Sequence, residues 1–253
     1  MLRPASLAIA LLCAGCHRSA PVEGGPLRIA AAADLAGAFT EAGAAFQRRT
    51  GRHVVFSFGS SGLLAKQIDE GAPFDAFAAA NTAYVDEVVR AGRCRADSRA
   101  LYGRGQLVIW WRRDSPVVAP RSLEDLADAR FRRVAIANPQ HAPYGIAAQQ
   151  ALAAAGILDG LRPRLVFGEN VQQALQFAQS GNAEVAIVAG SLAESAGGRT
   201  LPVPAERHAP LDQALVACGP RAAEGRRFDD FVLSDEGRAI LRRHGFGLPG
   251  DAR

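Results

Sequence analysis

Short apolar segments alternate with helical patterns along most of the chain, and this alternation restricts the possible folds more than any other feature. Three predicted strands are each followed by a predicted helix: 27–32 by 34–49, 53–58 by 60–70, and 74–79 by 82–91. Three β–α units in series favour a parallel sheet that is covered by helices on both faces.

A second alternating series follows a predicted strand at 107–111. It consists of helices and strands at 122–129, 134–137, 143–155, 165–167, 171–179 and 185–188. The proline-rich segment 201–210 is predicted to cross back, ahead of a strand at 215–217 and two helices, 222–233 and 236–244, that return to the first series.

Together the two series predict an α/β protein with two lobes and a cleft between them. Each lobe is expected to be a mostly parallel sheet flanked by helices, with the hinge at the crossing segments. We place the first lobe at 27–104 and 208–253, and the second at 105–207.

The first 16 residues have the features of an export signal. Arg3 gives a positive start, 5–14 is an apolar stretch too short to span a bilayer, and small residues precede Cys16. This ending resembles the cleavage site of bacterial lipoproteins and predicts a lipid anchor at Cys16. Cys13 stands where Leu is usual, and ordinary secretory cleavage is the alternative. Residues 17–26 are predicted to be a flexible tether, and the mature protein is expected in the periplasm.

Charge and cysteine content narrow the functional classes. The 253 residues carry a formal net charge of +4, and the basic residues are scattered rather than interleaved with aromatics, which disfavours nucleic-acid binding. Cys94 and Cys218 can form a disulfide in an oxidising compartment or be two separate core residues, and their spacing does not decide. Outside the signal segment, which contains Cys13 and Cys16, the sequence has no CxxC pair, and it has no His cluster with metal-ligand spacing.

Three turns rich in small residues stand where a predicted strand passes into a helix. They are Ala-Ala-Ala-Asp at 31–34, Phe-Gly-Ser-Ser-Gly at 58–62 and Asn-Pro-Gln-His-Ala-Pro-Tyr-Gly at 138–145. Such turns direct unpaired main-chain N–H groups at one point, beyond the carboxyl ends of the strands. Because no turn supplies an obvious catalytic group, we predict a receptor for a small anion rather than an enzyme.

Five segments in order resemble the periplasmic molybdate-binding proteins of ABC transporters. They are Phe-Gly-Ser-Ser-Gly-Leu-Leu-Ala-Lys-Gln-Ile at 58–68, Gly-Ala-Pro-Phe-Asp at 71–75, Ile-Ala-Asn-Pro-Gln-His-Ala-Pro-Tyr-Gly at 136–145, Glu-Asn-Val-Gln-Gln-Ala at 169–174 and Arg-His-Gly-Phe at 243–246. The resemblance implies a two-lobed type II periplasmic binding protein that holds a tetrahedral dianion between its lobes.

In that family hydroxyls and main-chain N–H groups bind the anion, with no cationic side chain, metal ion or cofactor. The resemblance assigns this role to Asp34, Ser61, Tyr144 and Val171 here. These four residues would contact a metal only in the sense that molybdate is a metal oxyanion. The implied partners are molybdate or tungstate and the permease and ATPase subunits of the transporter. We expect a monomer whose only membrane contact is the possible lipid anchor.

The first turn departs from the family pattern. Asp34 stands where Ser or Asn is frequent, and Ala33 and Ala189 lack hydroxyls that some relatives supply. An ionised carboxylate about 4 Å from a dianion would repel it by roughly 8 kcal/mol at an effective dielectric constant near 20. We therefore expect the Asp34 carboxylate to turn away from the anion, with capping of its own helix as one way to do so. In the rival interpretation Asp34 faces the cleft and the ligand is not a tetrahedral oxyanion.

Other interpretations remain open at this point. Sulfate, unprotonated like molybdate, would be separated from it only by the size of the pocket. A sensory domain of the same fold is an alternative function, although an export signal precedes it. Ser60 or Ser61 with His141 as base is a weak catalytic hypothesis, because the G-x-S-x-G order is missing.

Overall fold

Two five-stranded sheets form the framework of the protein in the computed structural model, which describes residues 24–251. The predicted signal segment, Cys16 and most of the tether therefore lie outside the described residues. The first sheet has the strand order β2-β1-β3-β10-β4, and the second has the order β7-β6-β8-β5-β9.

The strands and helices follow the predicted alternation closely. The strands are β1 (Leu27–Ala32), β2 (Val54–Gly59), β3 (Ala76–Ala79), β4 (Ala100–Arg104), β5 (Leu107–Trp111), β6 (Val134–Ala137), β7 (Leu165–Gly168), β8 (Val185–Ala189), β9 (Arg199–Pro202) and β10 (Asp212–Ala217). The helices are α1 (Ala36–Thr50), α2 (Ser61–Asp69), α3 (Thr82–Arg90), α4 (Pro143–Ala154), α5 (Leu158–Leu161), α6 (Val171–Gln179), α7 (Gly190–Ser195), α8 (Ala222–Leu233) and α9 (Asp235–Arg243).

Each sheet is mixed. In the first, β1 is parallel to β2 and β3, whereas β10 is antiparallel to β3 and β4. In the second, β6 is parallel to β7 and β8, whereas β5 is antiparallel to β8 and β9. The two-lobed fold class is as predicted, with the parallel pairings concentrated in the β–α units and the antiparallel pairings beside the crossings.

Two sequence predictions about local structure were wrong. The proline-rich segment 201–210 is not wholly a crossing segment, because it begins inside β9, an exposed edge strand that ends at Pro202. The predicted helix at 122–129 is only a 3-10 turn at Glu124–Ala127. Both are short or exposed elements, where burial leaves little periodicity in the sequence.

The two crossing segments run side by side between the sheets. The Gly105 N–H donates to the carbonyl of Leu211 over 3.0 Å, which joins the outgoing and returning chains. A Cβ atom at Gly105 would collide with the Tyr144 hydroxyl and the Gln213 amide, so only glycine fits this position.

The C-terminal helices α8 and α9 pack on the first lobe. Phe228 of α8 meets Phe39 and Phe46 of α1 edge-on, with ring centroids 5.5 Å apart in both pairs. Edge-to-face aromatic packing of this kind adds to the stabilisation that comes from burying the rings.

A disulfide joins Cys94 to Cys218, which settles the alternative that the sequence left open. The bond lies at the end of β10 that is remote from Gln213, and it connects this strand to the segment after α3.

Trp110 and Trp111 are both buried, and Trp110 donates its indole N–H to the carbonyl of Gly197 over 2.6 Å. Among residues 24–251, no helix has the length and apolar character needed to cross a membrane.

Candidate functional site

A small cavity lies between the two lobes. The first lobe contributes the segments that follow β1, β2 and β3, and the second contributes the starts of α4 and α6. The lining residues are Ala32, Ala33, Asp34, Gly59, Ser60, Ser61, Ala80, Ala142, Pro143, Tyr144, Asn170 and Val171.

The structure brings the four sequence-predicted ligand residues, Asp34, Ser61, Tyr144 and Val171, to this one cavity. They come from four separate elements, and all four residues are buried. None of the described lining residues has a cationic side chain. Any positive potential in the cavity must therefore come from main-chain N–H groups and hydroxyl dipoles.

Three of these residues stand at the start of a helix. Ser61 begins α2, Val171 begins α6, and Tyr144 follows Pro143 at the start of α4. The first N–H groups of a helix have no acceptor within the helix, and they carry the positive end of its dipole. On α6 the Asn170 side chain accepts from Gln172 and Gln173 over 3.0 Å each, which leaves the Val171 N–H for the cavity.

Ser61 is oriented by the main chain beside it. Its Oγ accepts a hydrogen bond from the Ala80 N–H over 3.0 Å, and the side chain is buried. Because the hydroxyl oxygen is occupied as an acceptor, its proton is the part left to donate. A ligand that accepts hydrogen bonds matches this orientation.

Asp34 uses its carboxylate in contacts between side chains rather than as a helix cap. The 3-10 turn that contains it and the following helix α1 have no side-chain cap, so the suggested N-cap role is wrong. Instead Oδ2 accepts from the Tyr144 hydroxyl over 3.1 Å and from the Gln213 amide over 2.6 Å. The other oxygen, Oδ1, is buried without a hydrogen-bond partner among the described residues.

The buried surroundings of Asp34 change the proton affinity of its carboxyl group. Burial raises the pKa of Asp34 from 3.8 to about 6, against the lowering effect of hydrogen bonds from Gln213, from Tyr144 and from its own main chain. Burial, with the Asp34 charge as a second cause, holds the pKa values of Tyr144 and Tyr102 well above their usual range. Both tyrosines therefore keep their protons and act as hydrogen-bond donors.

Three residues around the site escaped sequence reasoning: Gln213, Tyr102 and Ser191. Gln213 and Tyr102 extend the Asp34 contacts, and Ser191 of α7 donates to the Asp34 carbonyl over 2.9 Å. No local motif marks these positions, since Gln213 and Ser191 contact Asp34 from distant parts of the chain and Tyr102 is connected to it through Gln213.

His141 joins the two lobes through its main chain and its side chain. Its carbonyl accepts from the Ser60 hydroxyl over 2.5 Å and from the Gly62 N–H over 2.9 Å. The imidazole Nδ1 lies 2.8 Å from Ser60 Oγ, whose proton is already donated to the carbonyl. This contact adds a further link between the two lobes.

Comparison with known proteins agrees with this architecture. The model of a family described as bacterial extracellular solute-binding protein matches residues 27–247, and the chain belongs to that family. It is 33% identical to the molybdate-binding protein ModA of Rhodobacter capsulatus, over 89% of this chain and 90% of the relative. It is 31% identical to ModA of Azotobacter vinelandii, over 88% of this chain and 90% of the relative.

Solved structures extend the comparison to the fold. The Azotobacter vinelandii periplasmic molybdate-binding protein aligns with a TM-score of 0.82 at 31% identity, covering 88% of this chain and 99% of the other. The sulfate-binding protein SubI of Mycobacterium tuberculosis aligns with a TM-score of 0.76 at 15% identity, over 90% of this chain and 88% of the other. The second likeness is one of fold alone, whereas the first agrees with the resemblance seen in the sequence.

Proposed function

We propose that the protein captures molybdate or tungstate in the periplasm for an ABC importer, whose permease and ATPase subunits are separate chains. The observation that carries the proposal is the convergence of Ser61, Tyr144 and Val171, each at a helix start, on one cavity without a cationic side chain. Helix dipoles and N–H groups that meet at one point can balance a dianion without a countercharge. The names of the relatives support the same ligand class.

In this proposal the Ser61 hydroxyl and the N–H groups of Ser61, Tyr144 and Val171 donate to the oxygens of the anion. Asp34 contributes its main chain, while its carboxylate stays with Gln213 and Tyr144. A site built from donors also selects its ligand, because a protonated oxyanion brings an O–H that finds no acceptor. The protein is a binding protein in this scheme, with no turnover.

Isothermal titration of the purified mature protein with molybdate, tungstate, sulfate and phosphate tests the ligand. We expect micromolar or tighter binding of molybdate and tungstate, weaker binding of sulfate, and rejection of phosphate in its protonated form. The absence of heat with both molybdate and tungstate at micromolar protein would overturn the assignment.

Closure of the lobes on the anion is part of the proposal. Gly62 and His141 are in contact across the cleft, and an open form would separate them. Small-angle scattering should show a smaller radius of gyration after molybdate is added, and an unchanged radius would contradict closure. We further infer that the protein is a monomer whose only contact with the membrane is a lipid anchor at Cys16. Mass spectrometry of the membrane fraction tests the lipid anchor.

A further inference from the structure

Gln213 lies beneath the cavity without lining it. Its side chain is fully buried on β10, the strand that follows the return crossing. The pairing of β10 with β4 shifts register between Gln213 and Ala214. Irregularities of this kind re-aim side chains in a strand, and here the amide points into the contact between the lobes.

The orientation of the Gln213 amide is set from both ends. Its Nε2 donates to Asp34 Oδ2 over 2.6 Å and lies 3.2 Å from the Tyr144 hydroxyl. Its Oε1 accepts from the Tyr102 hydroxyl over 2.5 Å. A carboxylate can only accept, so the NH₂ group must face Asp34, and the Tyr102 proton holds the opposite end of the amide.

Among the described residues, the donors to the Asp34 carboxylate are all neutral: the Gln213 amide, the Tyr144 hydroxyl and its own main chain. The titratable groups that face it are Tyr144 from α4 and Tyr102 from β4, while α7 presents Ser191 to its main chain. Residue Asp34 also lines the anion cavity. A carboxylate released from Gln213 would lie free to rotate toward a bound dianion and repel it.

We infer that Gln213 is a positioning residue for anion binding: its amide holds the Asp34 carboxylate out of the cavity, and Tyr102 orients that amide. This inference rests on the proposed function, because it requires a bound oxyanion. It adds two residues, neither of which lines the cavity, to the set that determines affinity.

A double-mutant cycle tests the inference by molybdate titration at pH 8, where the Asp34 carboxyl, with a pKa of about 6, is ionised. Gln213→Met keeps the length of the side chain but removes the amide. We expect the molybdate Kd to rise about tenfold or more, corresponding to about 1.4 kcal/mol or more. In an Asp34→Asn background, where no charge has to be restrained, the same change should alter Kd less than about threefold. Gln67→Met, on the exposed face of α2, is the matched control and should leave Kd unchanged.

Equal losses in both backgrounds, or no loss in either, would overturn the inference. Tyr102→Phe is a second, milder variant that removes only the hydroxyl holding Oε1; it should weaken binding in the wild-type background and not in Asp34→Asn. If Gln213→Met does not fold, Tyr102→Phe alone tests whether the amide of Gln213 positions Asp34. The wild-type titration is read separately: if the wild type binds molybdate but the cycle shows no coupling, the positioning role fails and the proposed function stands.

Discussion

Tyr144 donates its hydroxyl to Asp34 Oδ2 over 3.1 Å, and this hydrogen bond connects the second lobe to the first. The same residue stands in the first turn of α4, with its main chain at the cavity. In the proposed site Tyr144 would have two roles: its N–H would donate to the anion, while its side chain binds the Asp34 carboxylate that the proposal keeps away from that anion. Because the hydrogen bond joins the two lobes, the proposed closure would couple to the proposed restraint of Asp34.

Ser61→Ala should weaken anion binding about ten- to a hundredfold, because a hydrogen bond to a charged partner contributes about 1.5–3 kcal/mol. The variant also leaves the buried Ala80 N–H without its acceptor, which lowers stability by about 1–3 kcal/mol. Titration with molybdate and urea unfolding measure the two effects separately.

Ser98→Ala is the matched control for Ser61. Ser98 Oγ accepts from the buried Ala217 N–H over 2.9 Å, the same task that Ser61 performs for Ala80, but it does not line the cavity. We expect the stability loss without the affinity loss. A similar drop in affinity in both variants would show that Ser61 acts through the fold rather than through the anion.

Asp34→Asn should remove a pH dependence from the stability of the anion-free protein. The folded-state pKa of about 6 is above the usual value of 3.8, so the native state binds more protons than the unfolded chain between these limits. Stability from this group is therefore greatest at low pH, falls as pH rises through that window, and stays low above it. A shift of this size corresponds to roughly 3 kcal/mol.

Urea unfolding of the wild type and Asp34→Asn between pH 4 and pH 8 checks this prediction. The difference in unfolding free energy between the two proteins should move in favour of the variant as pH rises, and should level off above about pH 7. A difference that is constant over the whole range would show that Asp34 is not the titrating group.

The sequence was sufficient to predict the β–α units from local pattern, whereas the four cavity residues came from the resemblance to the family. Strands β1, β3 and β6 are almost wholly buried, so they appear as continuous apolar runs that end in small-residue turns. Ser61 and Val171 also follow a strand at the start of a helix, but β2 and β7 are only partly buried, and it was the resemblance to the family that assigned these residues to the site.

The contacts around Asp34 could not be predicted in the same way. Gln213 reaches Asp34 from 179 positions away, and Tyr144 from 110. A single polar residue in a buried strand has no spacing or motif that names its partner, because the partner is fixed by sheet order and lobe closure. For the same reason the sequence could not name the partners of the Asp34 carboxylate, and the helix cap that it suggested is wrong.

Asp229 on α8 predicts a second pH effect, in the interior of the first lobe. It is buried, and its Oδ2 has no hydrogen-bond partner among the described residues. Burial, followed by the neighbouring Asp230 charge, raises the pKa of Asp229 well above its usual value, against a smaller effect of Arg226. The folded state thus favours the protonated acid, and stability from this group is lost as pH rises.

Asp229→Asn should accordingly have a higher melting temperature than the wild type at pH 8, with the gain shrinking toward pH 4. Differential scanning calorimetry across this range measures the effect. Asp230→Asn, a neighbour with an exposed side chain, is the control and should shift the melting temperature far less. A gain of equal size at pH 4 and pH 8 would contradict the role assigned to the buried charge.

Loss of the Cys94–Cys218 bond should lower stability by about 2–5 kcal/mol. The bonded cysteines are separated by 124 positions, and the loop they close contains every strand of the second sheet. Constraining so long a loop restricts the unfolded chain strongly.

A Cys94→Ser/Cys218→Ser variant, or reduction of the wild type, should therefore reduce the melting temperature, and reductant should have no effect on the double variant. Anion affinity below the melting transition should stay unchanged, because the bond lies at the end of β10 opposite Gln213. A weakened molybdate Kd in the folded double variant would show instead that the disulfide helps to shape the cavity.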